Sequence, residues 1–397
     1  MSEWKKVKLG DVADIFSGYA FKSKDMNNYS GTPLLKIKNI TDFIVSTECD
    51  SFLNSDIDLS KWEKYRLQIN DFLIAMTGQG SVGRVGKMMN YSSNYFVNQR
   101  VAIVRPNCKL VNSYFLYKIF ATSERQLELF KKANGAGQPN ISPTQIGDIE
   151  FNIPSIEVQQ HIAEILSRYD FLIENYQKQI KLLEESAQRF YKEWFIDLRF
   201  PGHENTKIVD GVPEGWKKKK LMDIADVVMG QSPKSEFYNS EKKGLPFHQG
   251  VGSYGFRFVD DNVYSSSLTR IAEPNSILFS VRAPVGRLNF TKNKIVIGRG
   301  LAAMNHKNGS QSYLFYLLKE RFFKDDIIGN GAIFASISKD ELLNQIFIVP
   351  NDKLVSQFNS IVNKMDNSIQ SIDTQIRHLT EARDRLLPKL MNGEIEV

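Results

Sequence analysis

The chain has 397 residues, of which 42% are hydrophobic and 24% are charged. This composition is typical of a globular protein of roughly two or three domains, and it excludes a disordered chain and a chain with a long apolar membrane span. A formal net charge of +6 favours a polyanionic partner without proving one, while two distant cysteines and five scattered histidines predict neither a disulfide framework nor a metal site.

The first segment, MSEWKKVKLGDVADIF, lacks the apolar core and the cleavage site of a signal peptide. We therefore expect a cytoplasmic protein with no membrane association.

The opening segment returns in the second half of the chain. WKKVKLGDVADIFSG (Trp4–Gly18) aligns with WKKKKLMDIADVVMG (Trp216–Gly230). The likeness continues through NQRVAIVRP and IGRGLAAMNH to a Gly-rich turn, a short strand that ends in proline and a long helical pattern. Such a repeat predicts two globular units, each followed by a helix.

The globular halves contain short β-rich runs, among them DFLIAM, RVAIVRP and SILFSV, interleaved with turn clusters and a few helical segments. This irregular order predicts an α+β fold rather than a doubly wound parallel sheet.

The stretch GQGSVG (Gly78–Gly83) has the spelling of a dinucleotide-binding loop. Such a loop must open a helix and be followed about twenty residues later by an acidic residue. Here strand-like residues follow, no carboxylate stands near residue 100, and the repeat replaces Gly78 and Gly80 by Val281 and Ala283. We interpret both segments as hairpin turns rather than as a nucleotide site.

Two segments carry apolar residues at alternating spacings of three and four, which is the heptad pattern of a coiled coil. An extra residue between Tyr176 and Ile180 interrupts the first pattern like a stutter, and only Arg383 interrupts the second. These residues form one apolar stripe along each helix. Two arrangements remain open: the two helices bury their stripes against each other, or each stripe packs on its own globular unit. The stripes are Ile162, Ile165, Tyr169, Leu172, Tyr176, Ile180, Leu183, Ala187, Phe190 and Trp194, and then Phe358, Val362, Met365, Ile369, Ile372, Ile376, Leu379, Arg383, Leu386 and Leu390.

The sequence offers no motif for catalysis. It has no Gly-x-Ser-x-Gly elbow, Walker lysine, His-Glu-x-x-His helix or Asn-Pro-Pro-Tyr-like methylation motif. We therefore predict a non-catalytic chain.

With these features the chain resembles the specificity (S) subunit of type I restriction-modification systems over essentially its whole length. The most specific marks are QRFYKEWFIDLRFPG (Gln188–Gly202) and LLPKLMNGEIEV (Leu386–Val397). The resemblance implies target recognition domain 1 at residues 1–154, a central coiled-coil helix at 155–200, target recognition domain 2 at 201–350 and a C-terminal coiled-coil helix at 351–397.

The resemblance further implies that each domain reads one half of a split double-stranded DNA target and that the two helices form an antiparallel coiled coil. This coiled coil would set the spacing and dock two methylation (M) subunits, which ATP-driven restriction (R) subunits would join. S-adenosylmethionine, ATP and magnesium would belong to these partners, with no cofactor in this chain. Because the two copies differ most in their loops, we expect an asymmetric target; a coiled-coil assembly scaffold without sequence-specific DNA reading is the alternative.

Candidate DNA-binding residues are those with suitable chemistry in the loops and hairpins. Arg and Lys bind guanine edges or phosphates, and Asn and Gln bind adenine, although most long basic side chains on a surface are simply solvated. In the first domain the candidates are Lys22, Lys24, Lys36, Lys38, Gln79, Ser81, Arg84, Gln138 and Asn140. In the second they are Lys234, His248, Gln249, Tyr254, Arg257, Arg282, Arg287 and Arg299.

Four aromatic residues close the first long helix. The spacing of Phe190 and Trp194 indicates coiled-coil core, whereas Tyr191 and Phe195 lie one step round the helix. We therefore predict Tyr191 and Phe195 at an interface with the methylation subunit.

Overall fold

The computed structural model describes residues 4–41, 43–89, 94–134, 137–322 and 336–397. The chain divides into two compact units, both of which contain helices and strands. Unit 1 comprises Met1–Glu174 with Arg377–Val397, and unit 2 comprises Asn175–Ile376. The α+β prediction is confirmed.

Unit 1 contains a four-stranded antiparallel sheet with the order β2-β11-β8-β9 and a second sheet with the order β10-β4-β7-β3. Its strands are β1 (Lys5–Lys8), β2 (Ala13–Ser17), β3 (Met26–Asn27), β4 (Thr32–Leu35), β5 (Ile40–Thr41), β6 (Ile44–Val45), β7 (Phe52–Leu53), β8 (Phe72–Ala75), β9 (Val85–Gly86), β10 (Phe96–Val97), β11 (Val101–Pro106) and β12 (Glu150–Ile153). Its helices are α1 (Leu9–Val12), α2 (Ser113–Phe120), α3 (Ser123–Lys132), α4 (Pro143–Gly147) and the first part of α5 (Ile156–Phe195).

Unit 2 repeats this plan. The order β16-β24-β21-β22 matches the four-stranded sheet of unit 1, and a five-stranded sheet has the order β17-β19-β18-β23-β20. The strands are β13 (Ile208–Val209), β14 (Val212–Pro213), β15 (Lys217–Lys220), β16 (Ala225–Met229), β17 (Tyr238–Asn239), β18 (Leu245–His248), β19 (Tyr264–Ser265), β20 (Ile271–Ala272), β21 (Ile277–Ser280), β22 (Leu288–Phe290), β23 (Ile295–Ile297), β24 (Leu301–His306) and β25 (Ile346–Val349). The described helices that begin in this unit are α6 (Leu221–Ile224), α7 (Gln311–Phe322), α8 (Lys339–Leu343) and α9 (Asp352–Met391).

The repeated opening segment forms the same strand, short helix and strand in both units. The backbone N–H of Lys8 donates to Asp11 Oδ2 at 2.9 Å, and that of Lys220 donates to Asp223 Oδ2 at 3.0 Å. A carboxylate three residues into a helix satisfies a backbone donor that the helix itself leaves open. This accounts for the aspartate that recurs in register, and the sequence repeat is a structural repeat.

In each unit the four-stranded sheet and both long helices contribute side chains to one hydrophobic core. In unit 1 the core includes Phe72, Phe115, Leu166 of α5 and Leu390 of α9, and in unit 2 it includes Phe358 of α9. Burying large apolar side chains of this kind contributes about 1.5–3 kcal/mol each. The helices are therefore part of the core of both units.

The burial along α5 corrects the predicted stutter. Leu166 and Ile173 are buried, whereas Leu172 is 40% exposed. With Leu166 and Ile173 in place of Ile165 and Leu172, the spacings of four and three continue from Ile162 to Trp194 without an insertion. All ten predicted stripe positions of α9 are buried or partly buried, including Arg383.

Candidate nucleic-acid interface

The GQGSVG segment is a hairpin turn between β8 and β9. The N–H of Gly83 donates to Ala75 O at 2.9 Å, and no helix opens at this segment, because β9 follows. Gly83 has a φ of +83°, and a Cβ at this position would lie 2.8 Å from Gln126 O. The glycine therefore serves backbone geometry and the close approach of α3, as the hairpin interpretation requires.

A second loop lies beside this turn and brings candidate residues together. The N–H of Gly78 donates to Pro139 O at 3.2 Å, and Thr77 forms a β-bridge with Asn140. Gln79, Gln138 and Asn140 are exposed, while Ser81 and Arg84 are partly buried. Five of the nine candidates of unit 1 therefore belong to one hairpin and its neighbouring loop.

Unit 2 has the equivalent hairpin between β21 and β22. The N–H of Gly286 donates to Ser280 O at 3.0 Å, and Ser280 Oγ accepts from the N–H of Arg287 at 2.8 Å. Arg282 is exposed at the tip and forms a β-bridge with Ser336, while Arg287 is partly buried. The two hairpins thus share their backbone plan and present different polar side chains.

The remaining basic candidates of unit 1 lie away from its hairpin in the sequence. Lys22 and Lys24 are exposed. Lys36 Nζ donates to Ser51 Oγ at 2.6 Å, and Lys38 forms an ion pair with Asp50. Lys36 and Lys38 thus contact partners within the unit, and Lys22 and Lys24 are exposed candidates.

In unit 2 two candidates are hydrogen-bonded to Ser232, and a third, Lys234, follows this serine by two residues in the chain. The Ser232 hydroxyl donates to Gln249 Oε1 at 3.2 Å and accepts from the N–H of Arg299 at 3.1 Å. Gln249, Arg299 and Lys234 are exposed, and Lys234 Nζ lies 3.9 Å from Glu236 Oε1. These segments offer exposed cations and an amide, side chains of the kinds that contact phosphates and bases.

The structure argues against two candidates, one at the end of β18 and one in the loop that follows it. The His248 side chain is fully buried, and its ring nitrogens are hydrogen-bonded to Ser253 Oγ at 2.8 Å and Asp261 Oδ1 at 3.0 Å. Tyr254 is largely buried, and burial raises the pKa of its phenol. Both side chains are part of the interior, so neither presents its polar atoms to a DNA groove.

The prediction that Arg257 binds DNA is also corrected, because this arginine lies in the interior of unit 2. It is 3% exposed, and its guanidinium lies 3.1 Å from Glu184 Oε1 and 2.7 Å from Asp366 Oδ1. Its neighbour Phe256 is 65% exposed. The prediction from sequence selected the arginine for its charge and missed the exposed aromatic ring of Phe256. The turn-rich residues around Phe256 were the signal that could have indicated its exposure.

The predicted partner surface at Tyr191 and Phe195 is likewise inside unit 2. Tyr191 is 3% exposed and Phe195 is 8% exposed, and both rings contact Tyr313 and Phe358. They are packed together with Trp194, so the aromatic side of the end of α5 faces the core. An apolar ring one step from a heptad stripe is buried here because α7 covers that side of the helix.

Exposed apolar residues occur elsewhere on α5. Phe171 is 68% exposed and Leu182 is 61% exposed. Large apolar side chains in the middle of a polar helix face are a signal that sequence reasoning missed, because it considered only the residues of the stripe. Exposed apolar residues that form a contiguous patch mark a contact surface.

Within the described ranges the structure shows no group of three histidine, cysteine, aspartate or glutamate residues that could hold a metal ion. Among those same residues no helix is long and apolar enough to cross a membrane.

The family model described as "Type I restriction modification DNA specificity domain" matches residues 1–185 and again residues 213–381. The chain belongs to the type I restriction-modification DNA specificity family. Members of this family are specificity subunits, which read DNA target sequences.

Relatives in this family match over the full length of the chain. The chain is 26% identical over 415 residues to the type I restriction enzyme MjaIX specificity subunit of Methanocaldococcus jannaschii, covering 100% of this chain and 94% of that protein. It is 24% identical over 482 residues to the HindI specificity subunit of Haemophilus influenzae, covering 100% of both. The crystal structure of a type I S subunit from M. genitalium has a similar fold, with a TM-score of 0.60 at 18% identity over 98% of this chain and 96% of that one.

Proposed function

We propose that this chain is the non-catalytic DNA-reading subunit of a type I restriction-modification complex and that it recognises an asymmetric, bipartite double-stranded target. The observation that carries this proposal is the pair of equivalent hairpins with different side chains. Gln79, Ser81 and Arg84 stand where the second hairpin offers Arg282 and Arg287. Hairpins with the same anchoring hydrogen bonds but unequal donors and acceptors at their tips would read unequal base sequences.

We infer that the long helices act as an antiparallel coiled-coil spacer between recognition domains at 1–154 and 201–350. In unit 1 Asp170 of α5 pairs with Arg383 of α9, and in unit 2 Phe190 of α5 stacks on Phe358 of α9 at 5.7 Å between ring centroids. Each helix has 40 residues. At 1.5 Å per residue such a helix is about 60 Å long, which corresponds to about 18 base pairs of B-DNA.

We further propose that the methylation subunits dock on the helices and that restriction subunits join the complex. The exposed side chains of Phe171 and Leu182 on α5 support this docking position, and they replace Tyr191 and Phe195 as the candidate contact residues. S-adenosylmethionine, ATP and magnesium would be bound by those partners.

Competition gel shifts at one fixed salt concentration test the proposal. Phosphate contacts alone give weak binding to every duplex, whereas base contacts typically separate target from non-target affinity by about 10³-fold or more. A target first identified by sequencing methylated bases should therefore compete far better than scrambled duplexes. Equal competition by all duplexes would favour an assembly scaffold, and a perfectly palindromic target would contradict the asymmetric reading.

A further inference from the structure

Arg383, the one residue that interrupts the predicted stripe of α9, belongs to a buried charge cluster in unit 1. Its Nη1 lies 2.9 Å from Asp170 Oδ1, and Lys118 Nζ of α2 lies 2.6 Å from Asp170 Oδ2. Tyr114 of α2 donates its hydroxyl hydrogen to the same carboxylate. The side chains of Lys118 and Asp170 are 8% and 10% exposed. One carboxylate on α5 thus joins α9 to the globular part of unit 1.

Unit 2 has a corresponding cluster with a different cation. Arg257, from the loop between β18 and β19, bridges Glu184 of α5 and Asp366 of α9 with its two terminal nitrogens. Its guanidinium carbon lies 3.8 Å from the centroid of the Phe315 ring. A planar, two-armed cation held between two carboxylates and an aromatic face has little freedom to rotate or slide.

The two clusters are related by the repeat. Asp170 and Asp366 both lie sixteen residues after the proline that precedes their helix, Pro154 or Pro350. The cations are not equivalent, because the segment YFLYKIF places Lys118 where YLFYLLK has Leu317. The aspartate position is thus common to both copies, and each copy supplies its own cation from a different element.

Buried ion pairs of this kind contribute little net stability compared with apolar residues of similar volume, because desolvation offsets the Coulomb attraction. In some proteins such pairs instead restrict the geometry, since a shift leaves a buried charge without its partner. We propose that Asp170 and Asp366 are positioning residues, which fix each globular part on the long helices and so determine how strictly the protein selects the DNA length between its two half-sites. This inference rests on the proposed function.

The test replaces the whole unit 2 cluster with neutral residues, as E184Q/R257M/D366N in the full-length chain. Removing all three charges together avoids leaving one of them unpaired. Binding is then measured by competition with duplexes whose spacer changes in single base-pair steps around the preferred length. We expect the wild-type chain to lose about tenfold in affinity or more per step, since a misplaced half-site forfeits base contacts, and the variant to lose about threefold or less.

A matched control is E273Q/K294M, which removes an exposed ion pair of unit 2 that joins neither long helix. It should keep the spacer selectivity of the wild type. A folded triple variant with wild-type selectivity overturns the inference while leaving the proposed function intact. If the wild-type chain itself prefers no duplex, the proposed function fails first.

The triple variant is first checked for cooperative thermal unfolding. If it does not fold, Arg257→Lys takes its place, because a lysine keeps the charge but lacks the two-armed geometry. Relaxed spacer selectivity in this variant supports the inference, and selectivity equal to that of the wild type overturns it.

Discussion

Lys87 is a lysine enclosed by the β-structure of unit 1. It is 7% exposed, and its Nζ donates to the carbonyl oxygens of Ile69 at 3.1 Å and Asp71 at 3.3 Å. Burial lowers the pKa of Lys87 to about 8, against the partial compensation of the Asp71 charge. The folded chain therefore holds this proton less tightly than the unfolded chain does.

The sign of the resulting pH dependence follows from linkage. Below about pH 8, Lys87 is protonated in both the folded and the unfolded chain, so folding bears the full cost of burying the charge. Between about pH 8 and the ordinary pKa of lysine, only the unfolded chain keeps this proton. Stability should thus rise over this interval by up to about 3 kcal/mol from this residue. We would measure the free energy of unfolding in urea for the wild type and for Lys87→Met, in steps from neutral pH upward. The free energy of the wild type relative to that of the variant should rise with pH over this interval. Parallel curves for the two proteins would contradict the assigned pKa.

At the scale of single residues the sequence indicates chemistry but not exposure. Arg257 and Arg282 are indistinguishable as candidates in the sequence, yet one is buried and the other exposed. The difference depends on Glu184 and Asp366, which lie 73 and 109 residues away from Arg257 along the chain. No local pattern indicates such distant partners, so the burial of Arg257 could not be predicted from the sequence.

The hairpins are predictable elements, because their geometry depends on local residues. Gly83 and Gly286 both have positive φ, at +83° and +88°, in the turn that closes each pair of strands. A glycine adopts this backbone conformation without strain, so the repeated Val-Gly-Arg indicated the turns correctly. The neighbouring loop at residues 137–140 was not predicted to lie beside the turn, because that contact joins distant segments.

Exchanging the two hairpin tips tests whether they carry sequence recognition. The flanking backbone bonds are equivalent, from Ala75 N to Arg84 O and from Ser280 N to Arg287 O, both 2.9 Å. Residues 76–83 and 281–286 can therefore be interchanged between the same anchor points. We expect a changed half-site preference in competition assays, by about 1–3 kcal/mol for each base contact moved.

The same exchange has an internal control. Assembly with the methylation subunits should stay at the wild-type level, because the tips lie at the ends of strands and not on the long helices. An exchanged protein that assembles and methylates the original sequence unchanged would show that the hairpins do not read bases.

The heptad pattern shows how far an element can be read from sequence. The pattern of α9 was predicted position by position, whereas in α5 Ile165 and Leu172 were chosen although Leu166 and Ile173 are the buried residues. Adjacent apolar residues make both choices compatible with a helical period. Only the packing of each unit decides which of the two faces inward.

At the scale of the whole molecule, the repeat was the strongest guide, because a duplicated sequence implies duplicated topology. The orders β2-β11-β8-β9 and β16-β24-β21-β22 have the same connections, and both long helices contribute core residues to both units. The contribution of α9 to unit 1 could not be inferred from chain order alone, since Leu390 reaches a core formed mainly by residues before 175. Each unit is thus completed by both helices, which suits them to act as one spacer.

Lengthening both helices together tests this spacer role. One added heptad is about 10.5 Å, or about three base pairs, but three base pairs also rotate the DNA by about a third of a turn. Three added heptads give about 31.5 Å, close to one full DNA turn, while a heptad insertion keeps the apolar stripe in register. Three heptads placed after Glu174 in α5 and after Ile376 in α9 should therefore move the preferred spacer by about nine to ten base pairs.

Single heptads at the same places should weaken binding at every spacer length, because no length restores both distance and rotation. A preferred spacer that stays at its original length in the extended protein would show that the helices do not set it.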